Sequence, residues 1–444
     1  MRMAVIGISL LMSGCWYLAG PTTICGDDFQ SGLEECDDGN DADAGMTLRD
    51  SGPTDPPVPV EKVRPMPRSE LLGAFDEQRR QLVFFGGDDG LPIDCQTAPH
   101  PVGLDDLWIY DAASATFEEI FVEGAKPPAR ARGMAVYDPT GDQMVIFGGR
   151  FRRRDRGEYV NFKDVWALDL ENKTWRQIET GSGGPTARSN PAGGFDRQRG
   201  EMIVFGGNTS RNGLAFGPQN DTYALNMETG TWRSIRAEGE RPEARLFHAA
   251  AVDSEGQRLF IYGGGDANAW QGPFLGDLWV LDLEEQRWEQ LHNGRGANVP
   301  MGRIWATVAY DATSDRLLLF GGHNDGDLGN NNDTWSFDLS EREWINLTEG
   351  ETIEEAAFGF CDFPPNFTVP DLEAPERRSA HLSAMDETRG EWILFAGETD
   401  CGIIDDVWVF DMQREGWIEL FEPKVGESCV RGENPEACVA LCPQ

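Results

Sequence analysis

The sequence predicts an all-β fold assembled from six copies of one four-stranded unit, and three observations carry that expectation. The 444 residues include 52 glycines, 14 tryptophans and 24 phenylalanines, a profile of many turns between short aromatic-rich segments. An aromatic-Gly-Gly element closes an apolar run at Phe85-Gly86-Gly87, Phe147-Gly148-Gly149, Phe205-Gly206-Gly207, Tyr262-Gly263-Gly264 and Phe320-Gly321-Gly322, with a variant copy at Phe395-Ala396-Gly397. Each copy follows a Pro-x-x-Arg whose Arg (Arg68, Arg130, Arg188, Arg245, Arg303, Arg378) stands 19 residues before the last Gly, as from 68 to 87. Six copies at one spacing identify an internal repeat, and a repeat decides architecture before any local propensity does.

Within each copy the strands read in order. Strand a follows the Arg and ends at an Asp eight residues on, at Asp76, Asp138, Asp196, Asp253, Asp311 and Asp386, where a carboxylate suits a turn. Strand b is the apolar run into the glycines, as in Met144-Val145-Ile146-Phe147. Strand c carries Asp-x-aromatic, with Asp106, Asp164, Asp221, Asp277, Asp333 and Asp406 preceding Trp108, Trp166, Tyr223, Trp279, Trp335 and Trp408. Strand d carries an aromatic nine residues later (108 to 117), at Phe117, Trp175, Trp232, Trp288, Trp344 and Trp417. The a-b and c-d turns are therefore constant. The b-c span varies from 11 residues (397 to 408) to 21 (87 to 108), and the d-a span from 13 (117 to 130) to 34 (344 to 378). In an up-and-down unit these two connections emerge on one face, so insertions concentrate there, where binding is usually carried.

These motifs resemble the Kelch repeat over residues 64 to 422. The resemblance implies a six-bladed Kelch-type β-propeller, with four antiparallel strands per blade around a central channel, and says little about function. Two readings of the repeated Arg and Asp stay open. A ring of six guanidiniums could seize an anion, or each Arg could pair across the glycines with its own blade's Asp; occurrence in every blade favours the structural pair.

The segments outside the repeats give an address. Arg2, the apolar stretch Ala4 to Met12 and Met12-Ser13-Gly14-Cys15 resemble a bacterial lipoprotein signal cut before a lipidated Cys15, an ordinary signal peptide being the alternative. Residues 1–14 are then signal and 15–64 the anchor and a flexible Pro/Asp-rich tether; 65–422 form the propeller and 423–444 a Cys-rich tail. Cys25-Gly26-Asp27-Asp28 with Glu34-Glu35-Cys36-Asp37-Asp38-Gly39-Asn40 resembles the first part of a cysteine-rich repeat of myxobacterial secreted proteins; a Cys25–Cys36 disulfide is favoured there over an acidic Ca²⁺ site. The expected location is the bacterial cell envelope, lipid-anchored in the outer membrane. A formal charge of −38, from 76 acidic and 38 basic residues, argues against nucleic acid as a partner.

Candidate chemistry falls on the variable loops. Arg150, Arg152, Arg153, Arg154 and Arg156 are a basic cluster in an acidic chain, suited to an acidic polymer or partner; Trp270 and Phe274 could stack on sugar or protein. Asp325, Asp327 and Asp333 offer oxygens to Ca²⁺ without the register of a helix-loop-helix site, and no other cofactor is expected. Cys95, Cys361, Cys401, Cys429, Cys438 and Cys442 are read as disulfides fastening the last blade to the first. The five histidines show no catalytic spacing. His248 and His381 recur three residues after the repeat Arg, which points to structure. The expectation is an exported, membrane-anchored, non-catalytic module binding an envelope or surface protein, or carbohydrate. An epimerase- or oxidase-like carbohydrate-active enzyme is the alternative.

Overall fold

The computed structural model describes residues 63–88, 103–152, 159–211, 215–253, 255, 257–269, 271–324, 329–350, 373–399 and 402–423. All nine cysteines lie outside these residues, as do Arg153, Arg154, Arg156, Trp270, Asp325 and Asp327. So do the signal, the tether up to residue 62 and the tail from 424.

Six four-stranded antiparallel sheets form a six-bladed propeller, each built from one continuous stretch of chain with neighbours in sequence order. Blade 1 is Leu72–Asp76, Gln81–Phe85, Leu107–Asp111 and Thr116–Glu119; blade 6 is Leu382–Asp386, Glu391–Phe395, Val407–Asp411 and Gly416–Phe421. The innermost strands surround the channel. The turn aspartates do what their position requires: Asp76 Oδ1 accepts from the amides of Gln78 (2.9 Å) and Arg79 (3.1 Å), and Asp111 does the same for Ala113 and Ser114 at the c-d turn. The four-residue a-b loop then returns through a left-handed residue, Arg80 in blade 1 (φ 55).

Two contacts repeat between blades and close the ring. The last amide of each glycine pair donates to the carbonyl of the next blade's Arg, from Gly87 to Arg130 (3.0 Å) round to Gly397 and Arg68 (3.0 Å). The strand d aromatic packs on the strand b aromatic of the preceding blade: Trp175 on Phe85 (5.4 Å), Trp232 on Phe147 (5.5 Å), Trp417 on Phe320 (4.8 Å) and Phe117 on Phe395 (5.3 Å). At the seam between blades 6 and 1, Arg80 also ion-pairs with Asp386 (2.7 Å). Arg64 ion-pairs with buried Asp405 (3.0 Å) and donates to the Glu422 carbonyl (2.7 Å), clasping the start of the described chain to its end. The disulfides expected at this seam lie outside the described residues.

Candidate functional site

The six repeat arginines are fully buried inside their blades. In blade 2, Arg130 Nη1 and Nη2 donate to Asp164 Oδ1 (2.7 Å) and Oδ2 (2.9 Å), Nη1 also to the Gly148 carbonyl (3.0 Å), and Nε to the Pro128 carbonyl (3.1 Å). Trp166 Nε1 completes the carboxylate at 2.8 Å, which is why the aromatic sits two residues after the Asp on the same strand face. The Arg–Asp fork recurs as Arg68–Asp106, Arg188–Asp221, Arg245–Asp277, Arg303–Asp333 and Arg378–Asp406, and the indole donor in each of these but blade 3, where Tyr223 stands in its place. Burial alone would raise the Asp164 carboxyl, but the Arg130 fork outweighs it and holds it below the usual range; Asp106, Asp277 and Asp333 behave alike. These guanidiniums are spent on their own blades and present nothing to a ligand. Asp333 is likewise corrected as a Ca²⁺ ligand, because Arg303 takes both its oxygens and Trp335 Nε1 donates to Oδ2 (2.6 Å).

The site lies one step further along the chain, on the variable-loop face. The residue two after each Arg adopts a left-handed backbone: Glu70, Arg132, Asn190, Phe247, Trp305 and Ala380, with φ between 52° and 60°. Five backbone hydrogen bonds link neighbours round the circle they make at the channel mouth: Arg132 to Glu70 (3.0 Å), Asn190 to Arg132 (2.6 Å), Trp305 to Phe247 (2.9 Å), Ala380 to Trp305 (3.2 Å) and Glu70 to Ala380 (2.9 Å). Beside this circle the residue after each Arg pairs with the residue after the glycines, as Ser69 with Asp88, Ala131 with Arg150, and Ser189 with Asn208. Constant flanking residues thus hold six positions at the mouth, two residues after each Arg, whose identities differ from blade to blade. Sequence reading missed them because it looked for what repeats; variable residues at fixed spacing inside an otherwise constant frame are the signal that would have found them.

A cavity of about 170 Å³ opens here. Blades 1 to 3 give it a polar wall, Glu70, Arg132 and Asn190, and blades 4 and 5 an aromatic one, Phe247 against Trp305 with ring centroids 4.2 Å apart. Arg132 ion-pairs with Glu70, and its guanidinium lies 5.5 Å from the Phe247 ring and 5.4 Å from the Trp305 ring. Burial opposes the charge on Arg132, but Glu70 outweighs burial and keeps it protonated. Arg150, of the expected basic cluster, stacks over Tyr159 (4.0 Å) and is pushed down to about 10 by burial and then by the nearby charge of Arg132. Arg152 lies in the short hairpin Arg150–Arg152 with Tyr159–Asn161 that the blade 2 loop forms. Phe274 packs with Phe216 behind the Phe247–Trp305 wall, so it buttresses the cavity from within its own loop.

His248 and His381 line the same cavity. Their rings meet Phe205 and Phe320 edge-on, at 5.3 and 5.5 Å, and His381 Nε2 lies 2.7 Å from Thr307 Oγ1. Burial first, then the charge of the neighbouring repeat Arg, pushes His248 down to about 3 and His381 well below its ordinary value. Both are neutral at physiological pH. Because their folded pKa values lie below the unfolded value near 6.5, the unfolded chain binds more protons in acid. Their contribution is therefore whole above pH 6.5 and is lost as pH falls toward 3. Urea titrations at pH 6.5 and 5.0 are expected to show a loss of roughly 2 kcal/mol from His248, with His381 acting in the same direction. In the His248→Gln, His381→Gln variant that loss should shrink; an unchanged pH slope would contradict the assignment.

Residues 54–194, 84–303 and 195–360 match the family model described as the KLHDC2/KLHL20/DRC7 Kelch-repeats domain. Among known proteins, the chain is 25% identical over 334 residues to the flagellar outer arm dynein alpha chain of Chlamydomonas reinhardtii, covering 68% of this chain and 7% of that one. It is 24% identical over 303 residues to Kelch domain-containing protein 10 of Xenopus tropicalis, covering 66% and 65%. It is 26% identical over 268 residues to Acyl-CoA-binding domain-containing protein 4 of Arabidopsis thaliana, covering 60% and 36%. All three are eukaryotic proteins, and the chain spans less than two thirds of the length of each.

Proposed function

The chain belongs to the Kelch-repeat β-propeller family, and from that premise we propose that it is a non-catalytic interaction module whose variable-loop face docks an envelope or surface partner. The observation that carries this reading is the division of labour within each repeat. The constant Arg, Asp, Gly and aromatic residues are consumed in building the ring, while the positions that differ between blades line the channel mouth. The titratable groups of the cavity suit binding better than proton transfer: Glu70 and Arg132 neutralise one another, and His248 lies far below the range where a general base works at neutral pH. Export and anchoring through Cys15, with residues 15–64 as tether, belong to the same reading and rest on the sequence motifs at the N-terminus.

The test is capture from native envelope extract by the full chain, beside a variant carrying Arg153→Ser, Arg154→Ser and Arg156→Ser. A specific partner retained by the parent and depleted in the variant is the expected result and locates part of the contact in the blade 2 loop. No specific partner for either protein contradicts the reading.

A further inference from the structure

We propose that the channel-mouth cavity takes one neutral sugar ring, a single pyranose unit of a glycan; the proposal rests on the reading of this face as the binding face and names what its centre recognises. Among the buried polar atoms at the cavity without a hydrogen-bond partner among the described residues are Arg132 Nη1 and Trp305 Nε1, which donate, and Glu70 Oε2 and Asn190 Oδ1, which accept; both ring nitrogens of His248 and Nδ1 of His381 are others. Arg132 is only 7% exposed, so these are not groups at an open surface left to bulk solvent. An occupant must therefore both donate and accept over a short distance, as vicinal hydroxyls do and a carboxylate does not.

Charge makes the same choice. The positive charges acting here, Arg132 and Arg150, are met by Glu70 and Asp88, which favour the charged form of both arginines. Among the described residues, two guanidiniums are thus matched by two carboxylates, a balance with no preference for an anion. The division of the walls fits a molecule with polar edges and an apolar face: the polar residues come from blades 1 to 3, and the Phe247–Trp305 pair stands in blades 4 and 5. Ala380, in the sixth blade, has no side chain long enough to fill the gap between the two walls. A cavity of about 170 Å³ is small beside the several hundred Å³ usual for drug-sized ligands, so it holds one ring and not an oligosaccharide.

Saturation-transfer NMR of the full chain with the methyl glycosides of glucose, galactose, mannose and N-acetylglucosamine reads this directly, with N-acetyl-triglycine amide as a neutral peptide probe. The expected result is transfer to the ring protons of at least one glycoside, weakened about five-fold or more in Glu70→Gln and in Trp305→Leu and retained in Glu228→Ala, an exposed residue in the c-d turn of blade 3 away from the cavity. Asn190→Ala serves as a third variant, and a thermal melt of each establishes that it folds. Absence of transfer from every glycoside overturns the proposal, as does transfer undiminished in all folded cavity variants. Binding of the triglycine amide in place of the glycosides also overturns it and assigns the cavity to peptide backbone. A partner captured from extract that glycosides do not displace leaves the interaction module standing while the sugar assignment falls.

Discussion

Replacing Arg378 by Ala is expected to cost about 3–5 kcal/mol of folding stability, the usual penalty for orphaning one member of a buried ion pair. Arg378 is fully buried, and its partner Asp406 has a side chain only 1% exposed. The guanidinium donates to both oxygens of Asp406 (2.5 and 2.6 Å) and to the carbonyls of Ala396 (3.0 Å) and Glu376 (3.0 Å). Its loss leaves a carboxylate held by Trp408 alone and two carbonyls without their donor. Arg378→Lys should recover little, because an ammonium cannot span both oxygens and two carbonyls as a planar fork does. The equivalent change in blade 3, Arg188→Ala, should cost visibly less: Asp221 is 33% exposed there, so water can solvate the abandoned carboxylate. Urea unfolding of the three variants checks the order. Equal losses in blades 3 and 6, or a loss under about 1 kcal/mol for Arg378→Ala, would remove the buried pairs from the account of stability.

The two glycines of each pair are expected to differ sharply under substitution by Ala. Gly148 has φ +68, within reach of a left-handed non-glycine residue, and a Cβ there would stand 2.8 Å from the Arg188 carbonyl; blade 6 carries Ala396 at the equivalent place with φ 63 and full burial, so a small shift admits it. Gly149 has φ +94, and a Cβ there would stand 2.8 Å from the Ala131 carbonyl and 3.1 Å from the Gly133 amide, both backbone atoms of its own blade. The second glycine is present in all six copies, with φ from 94° to 110°. Thus Gly148→Ala should cost about 1–2 kcal/mol, because Ala396 shows that the place accommodates a Cβ, and Gly149→Ala about 3 kcal/mol or more, because its φ lies further from the left-handed well and two backbone atoms crowd the Cβ. Thermal melting of the pair measures the difference, and equal melting temperatures would contradict it.

The frame was legible in the sequence to a degree the mouth was not, for one physical cause. Arg, Asp, the second Gly and the two aromatics recur because every blade solves the same packing problem, so six copies amplify the signal of each. The channel-mouth residues Glu70, Arg132, Asn190, Phe247, Trp305 and Ala380 share only a backbone conformation, and a left-handed residue that is not glycine leaves no compositional trace. Nothing in the composition marks Trp305 and Phe247 among the loop aromatics, or Arg132 two residues after the repeat Arg130. The repeated Arg–Asp pair illustrates the opposite case: its ligand-binding and structural readings have the same sequence signature, and only the zero exposure of the guanidiniums separates them. Among the described residues the seam between blades 6 and 1 repeats the backbone and aromatic contacts of the other seams, with Arg64 added; the cysteines expected to fasten it lie outside those residues.

The central claim is that the loop face, and not the turn face, meets the partner. Photo-crosslinking in cells tests it most directly, with benzoylphenylalanine placed at Lys163, exposed on the b-c loop of blade 2, or at Glu228, exposed in the c-d turn of blade 3 at the other end of the blades. The account predicts a discrete crosslinked partner from position 163 and none from position 228. A partner crosslinked from 228 and not from 163 would place recognition on the face built from constant turns and contradict it.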